Sequence, residues 1–309
     1  MSFYSFLISS LSRSLKIIFI LIGVNFVMVA DDKVEIYSCY GNSRHIVIDG
    51  RVFDSKEKLK YEKSDTLFTN LKNKLSQIFN DEKENAEITI SINQNKYQII
   101  SDQEGYYSFE LSTQQDSFRN NQTIQVSING GKTVAFCRAF IPSKDEQVGV
   151  ISDFDDTLVI SDVVDKISLI KNLLFKNYKQ RTLVKEMQEI INSIITDSSR
   201  AFFVITGSPK QLHNAISNFL DYHNFPKRTI ITKKLHGDNS DPIFDQLEYK
   251  FEKVRNIILL YPHIKWVLLG DSGEMDKEVY TQIKKAYPNS VKSIYIRNVK
   301  NGEIEKILP

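Results

Sequence analysis

The chain is poor in several residue types, and each shortage narrows its class. Twelve glycines and seven prolines in 309 residues fall below ordinary usage, which argues against disordered, collagenous and low-complexity proteins. Two cysteines, Cys39 and Cys137, do not make a disulfide scaffold; they can pair if the chain is exported or stay buried as free thiols. Five histidines (45, 213, 223, 236 and 263) lack metal-ligand spacing. A charge excess is missing too. Residues 1–30 hold two of the 40 basic residues, Arg13 and Lys16, and none of the 38 acidic ones, so the remainder is balanced at 38 against 38. That balance excludes a globally basic nucleic-acid binder.

What is present is globular. Apolar residues make up 41% and charged residues 25% of the chain, and the length suits about two domains with a sizeable core. Arg13 and Lys16 precede the apolar run Ile17–Ala30 (IIFILIGVNFVMVA), which ends Val-Met-Val-Ala before Asp31. A basic start, an apolar centre and small residues before the break describe a secretory signal peptide over 1–30 cleaved after Ala30, and hence an exported protein. A buried N-terminal helix and an uncleaved anchor are the rivals, although 14 residues are short of the roughly 20 that span a bilayer.

Residues 31–145 read as a small β-sandwich domain. Alternating runs at 34–40, 45–53, 86–92, 97–100, 106–111, 123–128 and 133–141 are separated by turn residues, with Asn129-Gly130 signalling a hairpin. A helix is expected over 65–79. From 146 to 309 apolar strands alternate with amphipathic helices, the signature of a parallel α/β sheet. The strands are expected at 148–152, 201–206, 229–232, 265–270 and 291–297, and helices at 209–221, 248–260 and 276–286.

The chemistry-bearing residues sit at the ends of those strands. The first strand runs into Ser152-Asp153-Phe154-Asp155-Asp156-Thr157, placing carboxylates at the carboxyl end of a parallel strand, where ligands bind in open α/β sheets. Acids this close repel one another and call for a divalent cation; an Asp-rich surface turn is the plainer reading. The second strand ends Thr206-Gly207-Ser208-Pro209. Ser208 suits an N-cap and Pro209 a first helical residue, which would set the Thr206 hydroxyl beside phosphate-binding amides. Lys250 lies on a helix 21 residues before Asp271, in the loop Gly270-Asp271-Ser272-Gly273-Glu274-Met275-Asp276. Singly these are a cap, a turn and a surface lysine. In this order, at strand ends, they form a site.

The segments GVISDFDDTL, FFVITGSPKQL, Tyr249-Lys250 and LLGDSGEMDKEVY resemble the four motifs of the haloacid dehalogenase (HAD) superfamily. More narrowly they resemble the actin-patch-associated phosphatidate phosphatases of fungi and their bacterial relatives. Gly50-Arg51-Val52 and 101–106 look like the β-sandwich that precedes the phosphatase in bacterial members. The resemblance implies an HAD-like Rossmannoid sheet with a small helical cap. It implies a Mg²⁺-dependent phosphatase in which Asp153 attacks phosphorus and Asp155 serves as acid and then base. Mg²⁺ would be held by Asp153, the Asp155 backbone carbonyl and Asp271, with Thr206, Gly207, Ser208 and Lys250 on the phosphoryl oxygens. Thr157 would brace the first loop, and Asp276 would position Lys250 or a metal-bound water. The expected substrate is phosphatidate or a related phosphomonoester. A phosphatase for soluble phosphomonoesters and a non-catalytic, phosphatidate-sensing lipid-binding module are the alternatives. The presence of both Asp153 and Asp155 favours hydrolysis.

Residues 163–195 are the expected cap insertion, with helical faces at Val163, Ile167, Ile170 and Leu174 and at Leu183, Met187, Ile190 and Ile194. Between Lys166 and Lys185 there are six basic residues and no acidic one. This is either a solvated helix face or a contact for an anionic membrane surface through 166–185. Gly130-Gly131-Lys132-Thr133 mimics the end of a P-loop, but Val126 stands where its first glycine belongs.

Overall fold

The computed structural model describes residues 31–55, 62–66, 69–70, 83–145, 148–160, 176–234 and 244–307. The leader expected over 1–30, most of the helix expected over 65–79 and the first half of the expected cap lie outside the described residues.

Among the described residues, seven strands come first: β1 (Asp31–Gly41), β2 (His45–Ser55), β3 (Glu87–Ile92), β4 (Asn95–Ile100), β5 (Tyr106–Ser112), β6 (Thr123–Ile128) and β7 (Thr133–Arg138). They form two antiparallel sheets, β1-β2-β5 and β4-β3-β6-β7. Period-two alternation puts Ile88, Ile90 and Ile92 of β3 on one face, opposite Ile128, Val126 and Ile124 of β6. Ile46, Ile48 and Val52 of the other sheet close the same core. Cys39 and Cys137 are joined in a disulfide, so β1 is tied to β7, one sheet to the other, across 98 residues. The β6–β7 connection is a hairpin over Asn129–Gly131, in which Gly130 (φ 64°) and Gly131 (φ 91°) take the left-handed conformation.

The rest of the chain is α/β. Its strands are β8 (Val148–Ser152), β9 (Val159–Ile160), β10 (Thr182–Leu183), β11 (Phe202–Pro209), β12 (Thr229–Lys233), β13 (Lys265–Asp271), β14 (Val291–Arg297) and β15 (Ile304–Ile307). Its helices are α1 (Lys185–Ile194), α2 (His213–Tyr222), α3 (Phe244–Leu260) and α4 (Asp276–Ala286). Six strands form one sheet in the order β12-β11-β8-β13-β14-β15, parallel except for the last. The chain enters at β8, builds outward through β11 and β12, then crosses to β13 and β14. The direction of winding reverses between β8 and β13, the kind of crevice where ligands bind in such sheets. Both faces are covered, as a parallel sheet requires. Val254 and Ile257 of α3 and Val279 of α4 pack with Ile151 and Leu268 on one side; Met187 of α1 and Ile216 and Phe219 of α2 pack with Val150 and Leu269 on the other.

Two expectations need correcting. The second helical face of the expected cap is not part of a cap: Leu183 lies in β10, and α1 begins at Lys185 and lays Met187 and Ile191 onto the main sheet. The helix expected over 209–221 begins at His213, because β11 stays extended through Pro209 (ψ 149°) and a 3-10 turn, Lys210–Leu212, follows. Ser208 does not cap a helix, since its hydroxyl is engaged elsewhere.

The two parts share contacts. Phe140 is buried in the core that holds Phe203, Tyr261 and Trp266, and Tyr40 meets Phe203 edge-on at 5.4 Å. Tyr37 stacks on His213 at 4.4 Å, and Asn42 Nδ2 donates to Leu260 O at 3.1 Å.

Candidate active site

The site begins where β8 stops. Asp153 N donates to Leu269 O of β13 at 2.9 Å, and Ser152 Oγ donates to Asp153 O at 2.7 Å. Phe154 sinks into the core, and the chain turns through Asp156 in the left-handed conformation (φ 57°). Arg297, at the end of β14, fixes that turn by donating from Nη1 to Asp156 O at 2.9 Å. The result buries Asp153 completely and leaves Asp155 only 6% exposed.

Lys250 reaches in from the second turn of α3. Its Nζ lies 2.8 Å from Asp153 Oδ1, 2.6 Å from Asp276 Oδ1 and 2.6 Å from Glu274 Oε2. Asp276, the first residue of α4, suits the positive end of the helix dipole, and its Oδ2 accepts from Asp271 N at 3.2 Å. That closeness depends on Gly270, where a Cβ would sit 2.5 Å from Asp276 Cβ and 2.7 Å from Asp276 Oδ2. Asp271 in turn folds the following loop back on itself, Oδ1 accepting from Gly273 N at 2.6 Å and Glu274 N at 3.0 Å.

Burying so many charges moves their equilibria. Burial lifts the Asp153 carboxyl well above the usual carboxylate range, against the opposing pull of Lys250. Burial, then Asp276 and Glu274, pushes Asp271 up to about 8. Glu274 is also raised, chiefly by burial. For Lys250 burial works against the charge, but Asp153, Asp276 and Glu274 more than reverse it and hold the ammonium protonated. One lysine thus faces four carboxyl groups, Asp153, Asp271, Glu274 and Asp276, more than its single charge holds ionised, and a further cation would favour their charged forms.

The donor set, all carboxylate oxygens, suits a hard divalent cation. Among the described residues, Asp153, Glu274 and Asp276 bring carboxylate oxygens within 4.8 Å of one another, but Lys250 Nζ already occupies that convergence. Asp153 Oδ2 and Asp271 Oδ2 are instead buried with no hydrogen-bond partner. Buried carboxylate oxygens left unpaired are what an oxygen-seeking cation takes as ligands. Of the three expected metal residues, the structure leaves Asp153 and Asp271 with such an oxygen. The Asp155 carboxylate is used otherwise: Oδ1 pairs with Arg181 Nη2 at 3.0 Å, and Oδ2 accepts from Ser208 Oγ at 2.7 Å.

The remaining expected residues fall around this centre. Thr206 is buried, and its Oγ1 accepts from Ser208 N at 3.0 Å. Gly207 and Ser208 continue β11 as extended chain, so the helix-start amides expected beside Thr206 are absent there. Thr157 is buried with its hydroxyl unpartnered. Sequence reasoning missed three contributors: Arg181, the ion pair of Glu274 with Lys250, and Arg297. Glu274 was visible as an acid inside GDSGEMD. Arg181 carried no local signal, because its link to Asp155 comes through the pairing of β9 with β10. Within the described part of the 166–185 stretch, Lys179 pairs with Glu62 at 3.5 Å and Arg181 with Asp155.

Residues 148–298 match the family described as phosphatidate phosphatase APP1, catalytic domain. The chain is 30% identical over 157 residues to phosphatidate phosphatase APP1 of Saccharomyces cerevisiae, covering 50% of this chain and 26% of that protein. It is 22% identical over 216 residues to an uncharacterized protein of Schizosaccharomyces pombe, covering 69% of this chain and 35% of the other. The chain thus spans about a quarter to a third of these relatives' lengths. Among solved structures, a carbohydrate acetylesterase from Xanthomonas citri aligns over 83% of this chain and 65% of that one at 9% identity, with a TM-score of 0.26, too low to bear on the fold. The matched span contains Asp153, Asp155, Thr206, Lys250, Asp271 and Asp276, and the segment 148–298 is similar to the catalytic domain of phosphatidate phosphatase APP1.

Proposed function

We propose that the chain is a Mg²⁺-dependent phosphatase of HAD type that hydrolyses phosphatidate, or a closely related phosphomonoester, through an aspartyl-phosphate intermediate. The observation that carries this reading is the fully buried Asp153 at the carboxyl end of β8, held 2.8 Å from Lys250 within the segment matching a phosphatidate phosphatase catalytic domain.

In this reading the Asp153 carboxylate forms a bond to phosphorus as the bond to the leaving alkoxide breaks, and Asp155 gives that alkoxide its proton. Water then attacks the aspartyl phosphate, Asp155 takes the proton back, and inorganic phosphate leaves with Asp153 restored. Lys250 neutralises the charge that builds on the transferring oxygens while staying anchored by Asp276, and the Thr206 hydroxyl donates to the same oxygens. Asp153, the Asp155 carbonyl and Asp271 would hold Mg²⁺, which when bound screens the anionic nucleophile from the anionic phosphate. Residues 31–145 form a β-sandwich domain packed against a phosphatase domain over 146–309, and the leader over 1–30 exports the chain.

The test is phosphate release from vesicles containing phosphatidate, set beside glycerol 3-phosphate and p-nitrophenyl phosphate, with Mg²⁺. Faster turnover of the lipid supports the reading as stated. Turnover of the soluble esters alone moves it to soluble phosphomonoesters. No release from any of them, with retention on phosphatidate vesicles, replaces it with a lipid-binding module.

A further inference from the structure

Asp155 is held in a way that its proposed role alone does not explain. Both carboxylate oxygens accept, Oδ1 from Arg181 and Oδ2 from Ser208, so the side chain is oriented from two sides before any substrate arrives. Arg181 is itself only 12% exposed and lies 5.3 Å from the Phe154 ring centre. A guanidinium always carries its charge and presents donors in a rigid fork, so its position fixes where Asp155 sits.

The position of Arg181 is set from both sides along the chain. On one side, Thr182 and Leu183 pair with Ile160 and Val159, a few residues after Asp155 itself. On the other lies a polar knot built from the first part of the chain. Asn177 is completely buried, and its Nδ2 lies 2.7 Å from Glu62 O, 3.0 Å from Asp65 Oδ2 and 3.1 Å from Asn70 Oδ1. Asn70, equally buried, donates to Gln180 Oε1 at 2.7 Å. Gln180 Nε2 reaches Lys63 O at 2.9 Å and Asp65 O at 3.0 Å. Buried amides cost free energy unless every donor and acceptor is matched, and once matched they enforce one geometry.

Resting on the phosphatase reading above, we infer that Arg181 is a positioning residue for the Asp155 acid–base group, and that Glu62, Lys63, Asp65 and Asn70 hold it there through Asn177 and Gln180. The first part of the chain is then a structural component of the active site. Its contribution passes through one short segment, 176–183, into one carboxylate.

The test uses the full chain with Mg²⁺ and p-nitrophenyl phosphate, reading kcat and KM, together with hydrogen exchange of the 176–183 amides. Arg181→Gln is expected to lower kcat by roughly 10- to 100-fold with KM nearly unchanged, and Arg181→Lys to recover part of it. Asn177→Ala should lower kcat and speed exchange over 176–183. Added to Arg181→Gln, it should cost less than about twofold more, because both losses run through the same pair. Asn70→Ala reports on the same knot should Asn177→Ala fail to fold. A rise in KM alone for Arg181→Gln, unchanged kinetics, or losses that simply multiply would overturn the inference; so would unaltered exchange in the knot variants. A wild type that releases no phosphate from any ester refutes the phosphatase reading, and exchange alone then decides whether the contacts of Glu62, Lys63, Asp65 and Asn70 hold the segment.

Discussion

The two parts of this molecule differ in how much charge they bury. The antiparallel sheets fill their core with Ile46, Ile48, Ile88, Ile90, Ile124 and Val126 and add a disulfide between them. The parallel sheet has large apolar cores too, yet at the carboxyl ends of its strands it removes Asp153, Lys250, Asp271 and Asp276 almost wholly from water. Apolar burial stabilises by about 25 cal/mol per Å², whereas each buried ion costs several kcal/mol even after relaxation, and its partners return that only when geometry is good. A fold seeking stability would place apolar side chains at those strand ends. The cost is what marks them as chemical, and it separates a region kept for packing from one kept for reaction.

The sharpest way to break that comparison is at Lys250. Replacing it with Met leaves Asp153, Asp276 and Glu274 facing each other without their shared cation, and the chain should lose about 3–5 kcal/mol in urea unfolding. Asp276→Asn added to Lys250→Met should return part of it. Loss of under about 1 kcal/mol would mean that the network is not charged as described. In the other part, removing the Cys39–Cys137 link by Cys39→Ala with Cys137→Ala frees a 98-residue loop and should cost about 4–5 kcal/mol in the chain-entropy picture. Its thermal shift should be large and its effect on the parallel-sheet site small, which sharpens the contrast.

His213 tests the seam between the two. Burial pushes its imidazole down to about 4 from 6.5, against weaker upward pulls from Asn214 and the Tyr37 backbone. The unfolded chain therefore takes up a proton near pH 6.5 that the folded chain refuses until about pH 4. Stability should be full above pH 6.5 and fall by about 3 kcal/mol between there and pH 4. A His213→Phe variant should lose that slope in a series of thermal melts; an identical slope in both proteins would count against the assignment. The smallest expected effect is Gly270→Ala, whose methyl group would press on Asp276. It should cost about 1–3 kcal/mol and lower activity by displacing the anchor of Lys250.

Much of this was legible in the sequence because it follows local rules. Strands β6, β8 and β14 fall at 123–128, 148–152 and 291–297, where alternation or an apolar run places them, and α4 begins at Asp276 as expected. The approach of Asp153 and Asp276 follows from neighbouring parallel strands, β8 and β13, ending side by side, with Lys250 supplied by α3. What was hidden depends on partners distant in the chain. Ser208 and Pro209 carry a strong local signal for a helix start, yet the Ser208 hydroxyl is taken by Asp155 and the strand continues. Leu183 and Met187 share a helical spacing, but the β9–β10 pair claims the first of them. Arg181 looked like one charge in a basic run because its carboxylate lies 26 residues away.

The most direct measurement of the central claim is phosphate release from phosphatidate by the full chain with Mg²⁺, wild type beside Asp153→Asn. The wild type should release phosphate, and the variant should lose roughly 10³-fold or more of that activity. Equal release by both proteins would contradict the claim.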